Sequence, residues 1–316
     1  MKTMIKFSNN DAMPLLGLGT WRTTREETYS SVFEALKTGY RHVDCAFIYG
    51  NEDVIGQAFS DAFAQKIVRR EELFVTSKLW NDAHERANVR PALQATLRSL
   101  HLDYLDLYLM HWPVALKRGT LFPSRPDEFL SPQQAPLAET WAALEECRRQ
   151  GLCRHIGVSN FTQRKLAELL QTATQKPEMN QVELHPYLQQ PELVAFCQKN
   201  DIHVTAYAPL GAGMTDKAGK TPILQNPAIR EIAQKHSCTE AQVALAWGMA
   251  RGTAVIPKSV KPHRLAENFA SQSVTLDESD TARIASLGCD LRITTGALWT
   301  MDGSPYTAEY LWGNEE

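Results

Sequence analysis

Asp44, Lys78 and His111 each stand at or just beyond the end of a short apolar run of the strand type, and Tyr49 follows Asp44 by five residues. An aspartate and a lysine at such positions are buried only as a pair, because an isolated charge taken out of water is too costly. An Asp44–Lys78 pair with Tyr49 and His111 beside it suits proton transfer to a carbonyl oxygen. Tyrosine is a weak acid, with an ordinary pKa of about 10. A neighbouring ammonium favours the phenolate and is expected to lower that value, while a carboxylate behind the ammonium keeps it charged and fixed. Positioned acid–base help of this kind contributes about 10²–10⁴ in rate. The His111 imidazole would orient and polarise the same oxygen by hydrogen bonding. None of the four is a convincing nucleophile, so the electrons must come from elsewhere.

Each residue alone has a plainer reading. His111 could be a satisfied core histidine, Lys78 a rim lysine with its stem buried, Tyr49 a packing residue and Asp44 a cap. Their recurrence on consecutive strand ends is what favours chemistry.

The elements that would position them alternate along the chain. Strand-like runs at 15–19, 42–45, 73–77, 105–110, 155–158, 179–182, 203–206 and 253–256 are separated by amphipathic stretches beginning near Arg25, Asn51, His84, Leu137, Thr162, Pro191, Thr239 and Lys261. Eight such units predict an α/β protein of the closed (β/α)8 TIM-barrel class, as one domain over 1–316, with two open parallel sheets as the rival. In a barrel, active-site groups come from the C-terminal strand ends. Ser159, Asn160, Gln181, Tyr207 and Lys258 join the first four there. Three longer stretches, 112–136, 209–227 and an irregular tail at 291–316, follow elements at that same end and are expected over the barrel mouth. A last helix is expected at 277–287.

Composition narrows the function classes. At 43% hydrophobic and 22% charged residues, with a formal charge of -3, the chain reads as globular, with no basic surface suggesting a nucleic-acid partner. The clusters Arg69-Arg70 and Arg148-Arg149 read as solvated faces. Six scattered cysteines without a C-x-x-C pair read as reduced thiols, and no H-x-H, H-E-x-x-H or C-x-x-C offers a metal site. No run approaches membrane-span or signal-peptide length, so a cytoplasmic location without membrane contact is expected. Gly17-Leu-Gly19 begins a G-x-G, but Arg22 occupies the third glycine position and the Rossmann fingerprint fails. None of the nine tyrosines has lysine four residues on, which removes the Tyr-x-x-x-Lys pair of short-chain dehydrogenases.

Five segments carry a more specific likeness. Asp44-Cys-Ala-Phe-Ile-Tyr49-Gly-Asn51-Glu52, Leu109-Met110-His111-Trp112-Pro113, Gly157-Val158-Ser159-Asn160-Phe161, Asn180-Gln181-Val182-Glu183, and Ile256-Pro257-Lys258-Ser259-Val260 with Arg264 and Glu267-Asn268 occur in that order. In motif, order and spacing, from about 15 to 268, the chain resembles the aldo-keto reductases, of aldose or aldehyde reductase type.

The resemblance implies NADPH-dependent reduction of aldehydes, and of ketones, with Tyr49 as general acid, Lys78 and Asp44 tuning it and His111 orienting the carbonyl. It implies an extended NADP(H) held by Thr20, Trp21, Asp44, Ser159, Asn160, Gln181, Tyr207, Leu210, Lys258, Ser259, Val260, Arg264, Glu267 and Asn268. Within that set, Ser159, Asn160 and Gln181 would hold the carboxamide and Tyr207 would stack on the nicotinamide. Lys258, Ser259 and Arg264 would cradle the 2′-phosphate, bidentately at Arg264. The substrate would meet Trp21, Trp80, His111, Trp112 and Phe122, with Trp299 from the tail; Trp141 and Trp247 lie in helix patterns and read as core. A monomer is expected.

Two departures from the family pattern stand out. Ala208 and Ala212 replace serines common in relatives, leaving backbone N–H groups to meet the pyrophosphate. A belt over it is expected to close through Asp216 with Lys258 or Arg22. The rival from another class is a non-catalytic nicotinamide-binding or structural protein on the same scaffold, which would have no reason to keep Asp44, Tyr49, Lys78 and His111 together.

Overall fold

The computed structural model describes residues 3–211 and 221–313. An antiparallel hairpin of β1 (Met4–Lys6) and β2 (Ala12–Pro14) opens the chain. The eight parallel strands follow: β3 (Leu18–Gly19), β4 (His42–Asp44), β5 (Phe74–Leu79) and β6 (Leu105–Met110) come first. After a small hairpin of β7 (Ala115–Leu116) and β8 (Phe129–Leu130) come β9 (Cys153–Ser159), β10 (Met179–Glu183), β11 (His203–Tyr207) and β12 (Ala254–Val255). Each barrel strand pairs with the next in sequence, and Leu16 bridges in parallel to Val255. The Gly17 N–H donates to the Val255 carbonyl at 2.9 Å and the Val255 N–H to that of Leu15 at 2.7 Å, which closes the ring. β5, β6 and β10 are buried along their whole length, as parallel strands covered on both faces must be.

Helices α1 (Arg25–Thr38), α2 (Glu52–Ala64), α3 (Arg86–Leu100), α4 (Leu137–Arg149), α5 (Gln163–Thr172) and α6 (Pro191–Lys199) connect the strands up to β11. α7 (Pro227–Lys235), α8 (Glu240–Ala250), α9 (Pro262–Ala270), α10 (Glu278–Ala285) and α11 (Ala308–Trp312) follow. Their starts are chemical. Thr24, Thr162, Thr239 and Asp277 each accept a backbone N–H in the first turn, so the helix onsets expected near Thr162 and Thr239 coincide with the caps themselves. α1 stops at Gly39, whose φ of 115° is open to glycine at little cost. Trp141 and Trp247 are buried in the core, as their helix patterns suggest.

Three features depart from the sequence expectation. α7 starts at the last residue of the loop expected over 209–227 and runs through a stretch for which no element was expected, with Pro227 as the first helical residue behind an Asn226 cap. The stretch 112–136 contains β7 and β8, and the tail contains the turn Ala297–Thr300 and α11. Arg70 and Arg148 also turn inward, to Asp106 at 2.7 Å and Glu178 at 3.2 Å, rather than serving as solvated surface charge.

Candidate active site

The barrel brings all four sequence-predicted catalytic residues to one place. Asp44 ends β4, Lys78 lies one residue before the end of β5, and His111 follows β6. Tyr49 enters on the short 3-10 turn Phe47–Tyr49 beyond β4. The fully buried Lys78 ammonium donates to Asp44 Oδ2 at 2.6 Å and to the Cys45 carbonyl at 2.8 Å, and reaches the Tyr49 hydroxyl at 3.4 Å. Gln181 Nε2 donates to the other Asp44 oxygen at 2.7 Å, and the Thr20 hydroxyl donates to the Asp44 carbonyl at 2.8 Å. The His111 ring stands edge-on to Tyr49, with centroids 6.0 Å apart.

These surroundings set the protonation states. Burial works against the Lys78 ammonium, but Asp44 and Tyr49 outweigh it and hold Lys78 above an ordinary lysine. Burial pushes the Tyr49 phenol up to about 12, against the pull of Lys78. The direction expected from sequence is therefore reversed: the ammonium lowers the value as anticipated, yet loss of water around a would-be phenolate is the larger effect. Burial, then Lys78, keeps His111 well below an ordinary histidine, so its ring is neutral. Behind Lys78, Glu52 accepts the Ser77 hydroxyl at 2.5 Å and the Thr96 hydroxyl at 3.0 Å; burial raises it to about 7. Sequence reasoning quoted Glu52 in a motif without giving it a role, and its buried position is visible only in three dimensions.

The expected carboxamide holders are adjacent but partly engaged with one another. The Ser159 hydroxyl donates to the Gln181 carbonyl at 2.8 Å, and Asn160 Nδ2 donates to the His111 carbonyl at 2.9 Å. The Tyr207 hydroxyl donates to Asn160 Oδ1 at 2.7 Å. Asn160 adopts φ 62°, a left-handed conformation that asparagine tolerates better than most residues, and this turns its amide back into the site. Ala208 adopts φ 48° in the turn closed by the Gly211 N–H on its carbonyl, and Leu210 is half-buried in that turn. Ala212 and Asp216 lie outside the described residues, and with them the expected belt pair.

At the other end of the cradle, Lys258 and Arg264 are exposed and have no ion pair among the described residues. Ser259 is buried, with its hydroxyl oxygen taking the Lys261 N–H at 3.2 Å beside a half-buried Val260. Arg264 sits in the first turn of α9, where unpaired N–H groups and the helix dipole favour an anion. Two uncommitted cations beside such a terminus fit a phosphate group. Glu267 is more occupied: its carboxylate accepts the Thr239 hydroxyl at 2.9 Å and its carbonyl the Gln242 amide at 2.9 Å. Asn268 is buried, and its carbonyl accepts the Ser271 hydroxyl at 2.6 Å.

An aromatic wall flanks the tetrad. Trp80 lies 5.1 Å from His111 and 5.7 Å from Trp299, and Trp112 lies 5.6 Å from Trp299, all by ring centroid. Phe122, 62% exposed, reaches within 6.0 Å of Trp80 from the loop, and Trp21, half exposed, lies 6.4 Å from Tyr49. The Trp80 indole N–H donates to the Leu121 carbonyl at 2.9 Å, tying that loop to the strand end. Trp312, 5.8 Å from Trp112, completes the wall. Sequence reasoning missed it; the aromatic character of the tail was the available signal.

A closed parallel barrel gathers at its C-terminal mouth a buried Lys–Asp couple, a phenol and a neutral imidazole, groups able to pass a proton to a carbonyl oxygen. Residues 15–288 match the aldo/keto reductase family model, and the chain belongs to that family. It is 48% identical over 309 residues to an aldo/keto reductase of Synechocystis sp., covering 96% of this chain and 94% of the relative. It is 44% identical to aldo-keto reductase family 1 member A1 of Gallus gallus, covering 94% and 92%. The aldose reductase structure from Schistosoma japonicum superposes with a TM-score of 0.86 at 37% identity, over 94% of each chain. Membership places the protein among carbonyl-reducing oxidoreductases that use nicotinamide cofactors. Among the described residues, no helix is long and apolar enough to cross a membrane.

Proposed function

We propose that this protein reduces aldehydes, and ketones, to alcohols with NADPH, and that Tyr49 is the general acid. The observation that carries the reading is the Lys78 ammonium set between Asp44 Oδ2 and the Tyr49 hydroxyl, with the neutral His111 ring edge-on to the Tyr49 ring. When bound, NADPH supplies the hydride to the carbonyl carbon. Ser159, Asn160 and Gln181 hold its carboxamide, Tyr207 packs on the ring, and Lys258, Ser259 and Arg264 take the 2′-phosphate.

The residues of this chain handle the oxygen. His111 donates a hydrogen bond to the carbonyl oxygen and orients it. Tyr49 delivers its proton as negative charge develops there. A phenol held near 12 stays protonated at neutral pH, yet an alkoxide is a far stronger base than the phenolate left behind. Lys78 then stabilises that phenolate, and Asp44, pinned by Gln181, keeps Lys78 charged and in place. The aromatic wall excludes water from this step. Acting as a monomer in the cytoplasm belongs to the same reading.

The test is a panel of aldehydes and ketones with NADPH and NADH, followed by nicotinamide absorbance, on wild type and Tyr49→Phe. Turnover in wild type with a loss of about 10²-fold or more in Tyr49→Phe is expected. Tight NADPH binding without oxidation by any carbonyl would instead mark a binding protein.

A further inference from the structure

Six of the twelve buried side-chain atoms without a hydrogen-bond partner among the described residues belong to His111 of the tetrad and to three residues just beyond the strand that carries Lys78. They are both amide atoms of Asn81, Oδ1 of Asp82, both ring nitrogens of His84, and Nδ1 of His111. Asn81 and His84 are 0% and 1% exposed. All three residues of the 81–84 group follow directly on β5, the strand that carries Lys78, and the intervening Trp80 packs edge-on against His111. The position of His84 is itself fixed: its carbonyl accepts the Thr140 hydroxyl from α4 at 2.7 Å. After burial and Lys78, His84 also works against a positive charge on His111.

Buried polar atoms in folded proteins find partners, and buried polar atoms that find none in the protein are where internal water sits. The donor count defines what such water must do. Asn81 offers two N–H groups and a carbonyl, and neutral His84 one N–H and one lone pair. His84 is held near 3 by burial, so it remains neutral at physiological pH. His111, also neutral, has one proton to place on two nitrogens. Its Nδ1 is the buried nitrogen without a partner, which leaves Nε2 for the carbonyl. Only the Nε2–H form donates to substrate, and that form requires a donor facing Nδ1.

We propose that Asn81 and His84 are positioning residues that hold buried water against Nδ1 of His111 and thereby keep its proton on Nε2. Asp82, whose second oxygen is engaged by Arg118 and the Gly119 N–H, closes the patch and accepts from the same water. The inference rests on the proposed role of His111 toward a carbonyl. The relevant choice is made behind the catalytic ring, by residues that do not touch substrate.

Nitrogen-15 NMR of histidine-labelled enzyme reads the His111 tautomer directly, in the resting protein and without turnover. The Nε2–H form is expected in wild type. His84→Phe and Asn81→Leu should shift His111 toward the Nδ1–H form and lower kcat about tenfold, with KM for NADPH changed less than about twofold. His84→Gln, which keeps a donor, should recover much of the loss. A wild-type His111 protonated on Nδ1 overturns the proposal whether or not the variants fold. So does an unchanged tautomer with kcat within about twofold in both apolar variants. Absence of carbonyl reduction by wild type would refute the functional reading instead, while the spectrum still decides the tautomer.

Discussion

Gln181 spends its amide N–H on Oδ1 of Asp44, 2.7 Å away across the barrel and 137 positions along the chain. The carboxylate is thus held on one oxygen by Lys78 and on the other by Gln181. Its orientation does not depend on the lysine alone. The resemblance assigned Gln181 to the cofactor carboxamide. With Nε2 engaged on Asp44, its amide oxygen remains for that purpose, so under the proposed function one residue would join the Lys78–Asp44 couple to the cofactor.

Removing one member of the buried couple should cost more than removing both. Lys78→Met leaves the Asp44 charge in the core with only neutral donors, and a loss of roughly 3–5 kcal/mol in unfolding free energy is expected. Lys78→Met combined with Asp44→Asn should recover most of that loss while remaining inactive. Chemical denaturation of the three variants measures it, and equal stability of the single and double variants would contradict the pairing.

Glu52 should give stability a slope with pH. Its carboxyl ordinarily titrates near 4.5 and is held near 7 in the fold. Between those values the unfolded chain releases the proton while the folded chain keeps it, so stability falls as pH rises through this window and levels off above about 7. The contribution is on the order of 3 kcal/mol, and Glu52→Gln should remove the slope. Urea midpoints at pH 5 and 8 for both proteins provide the measurement.

Arg264 should separate the two nicotinamide cofactors. Loss of its charge-assisted bonds to a phosphate predicts KM for NADPH rising about 10–100-fold in Arg264→Ala, with NADH little changed. Because the side chain is exposed and has no ion pair among the described residues, stability should not move. Parallel loss with both cofactors would place the 2′-phosphate elsewhere.

Phe122 tests the aromatic wall. At 62% exposure it contributes little to the core, yet its ring lies tilted against Trp80 at 6.0 Å. Phe122→Ala should raise KM for aromatic aldehydes by roughly threefold to tenfold, as expected for one lost aromatic contact, and leave short aliphatic aldehydes unaffected. A uniform effect on both substrate classes would argue against direct contact.

Much of the architecture was legible because it is written in short-range chemistry. Alternating apolar runs mark the strands, and Thr24, Thr162, Thr239 and Asp277 mark helix starts by the hydrogen bonds their own side chains make. α7 escaped notice although Ile229, Ile232 and Ala233 form a clear apolar stripe, because it is only nine residues long and a proline at its first position looks like loop. The tail concealed Trp312, since nothing local says which aromatic residues of an irregular segment will turn inward.

By itself the sequence determined which groups are available: an aspartate, a lysine, a tyrosine and a histidine delivered to successive strand ends by a repeating β/α pattern. Only the tertiary structure decided how those groups behave. It reversed the expected drift of Tyr49, committed Gln181 to Asp44, and left Nδ1 of His111 buried without a partner among the described residues. The physical reason is that burial and hydrogen bonding sum over everything nearby in space, and the neighbours that set them come from segments far apart in the chain.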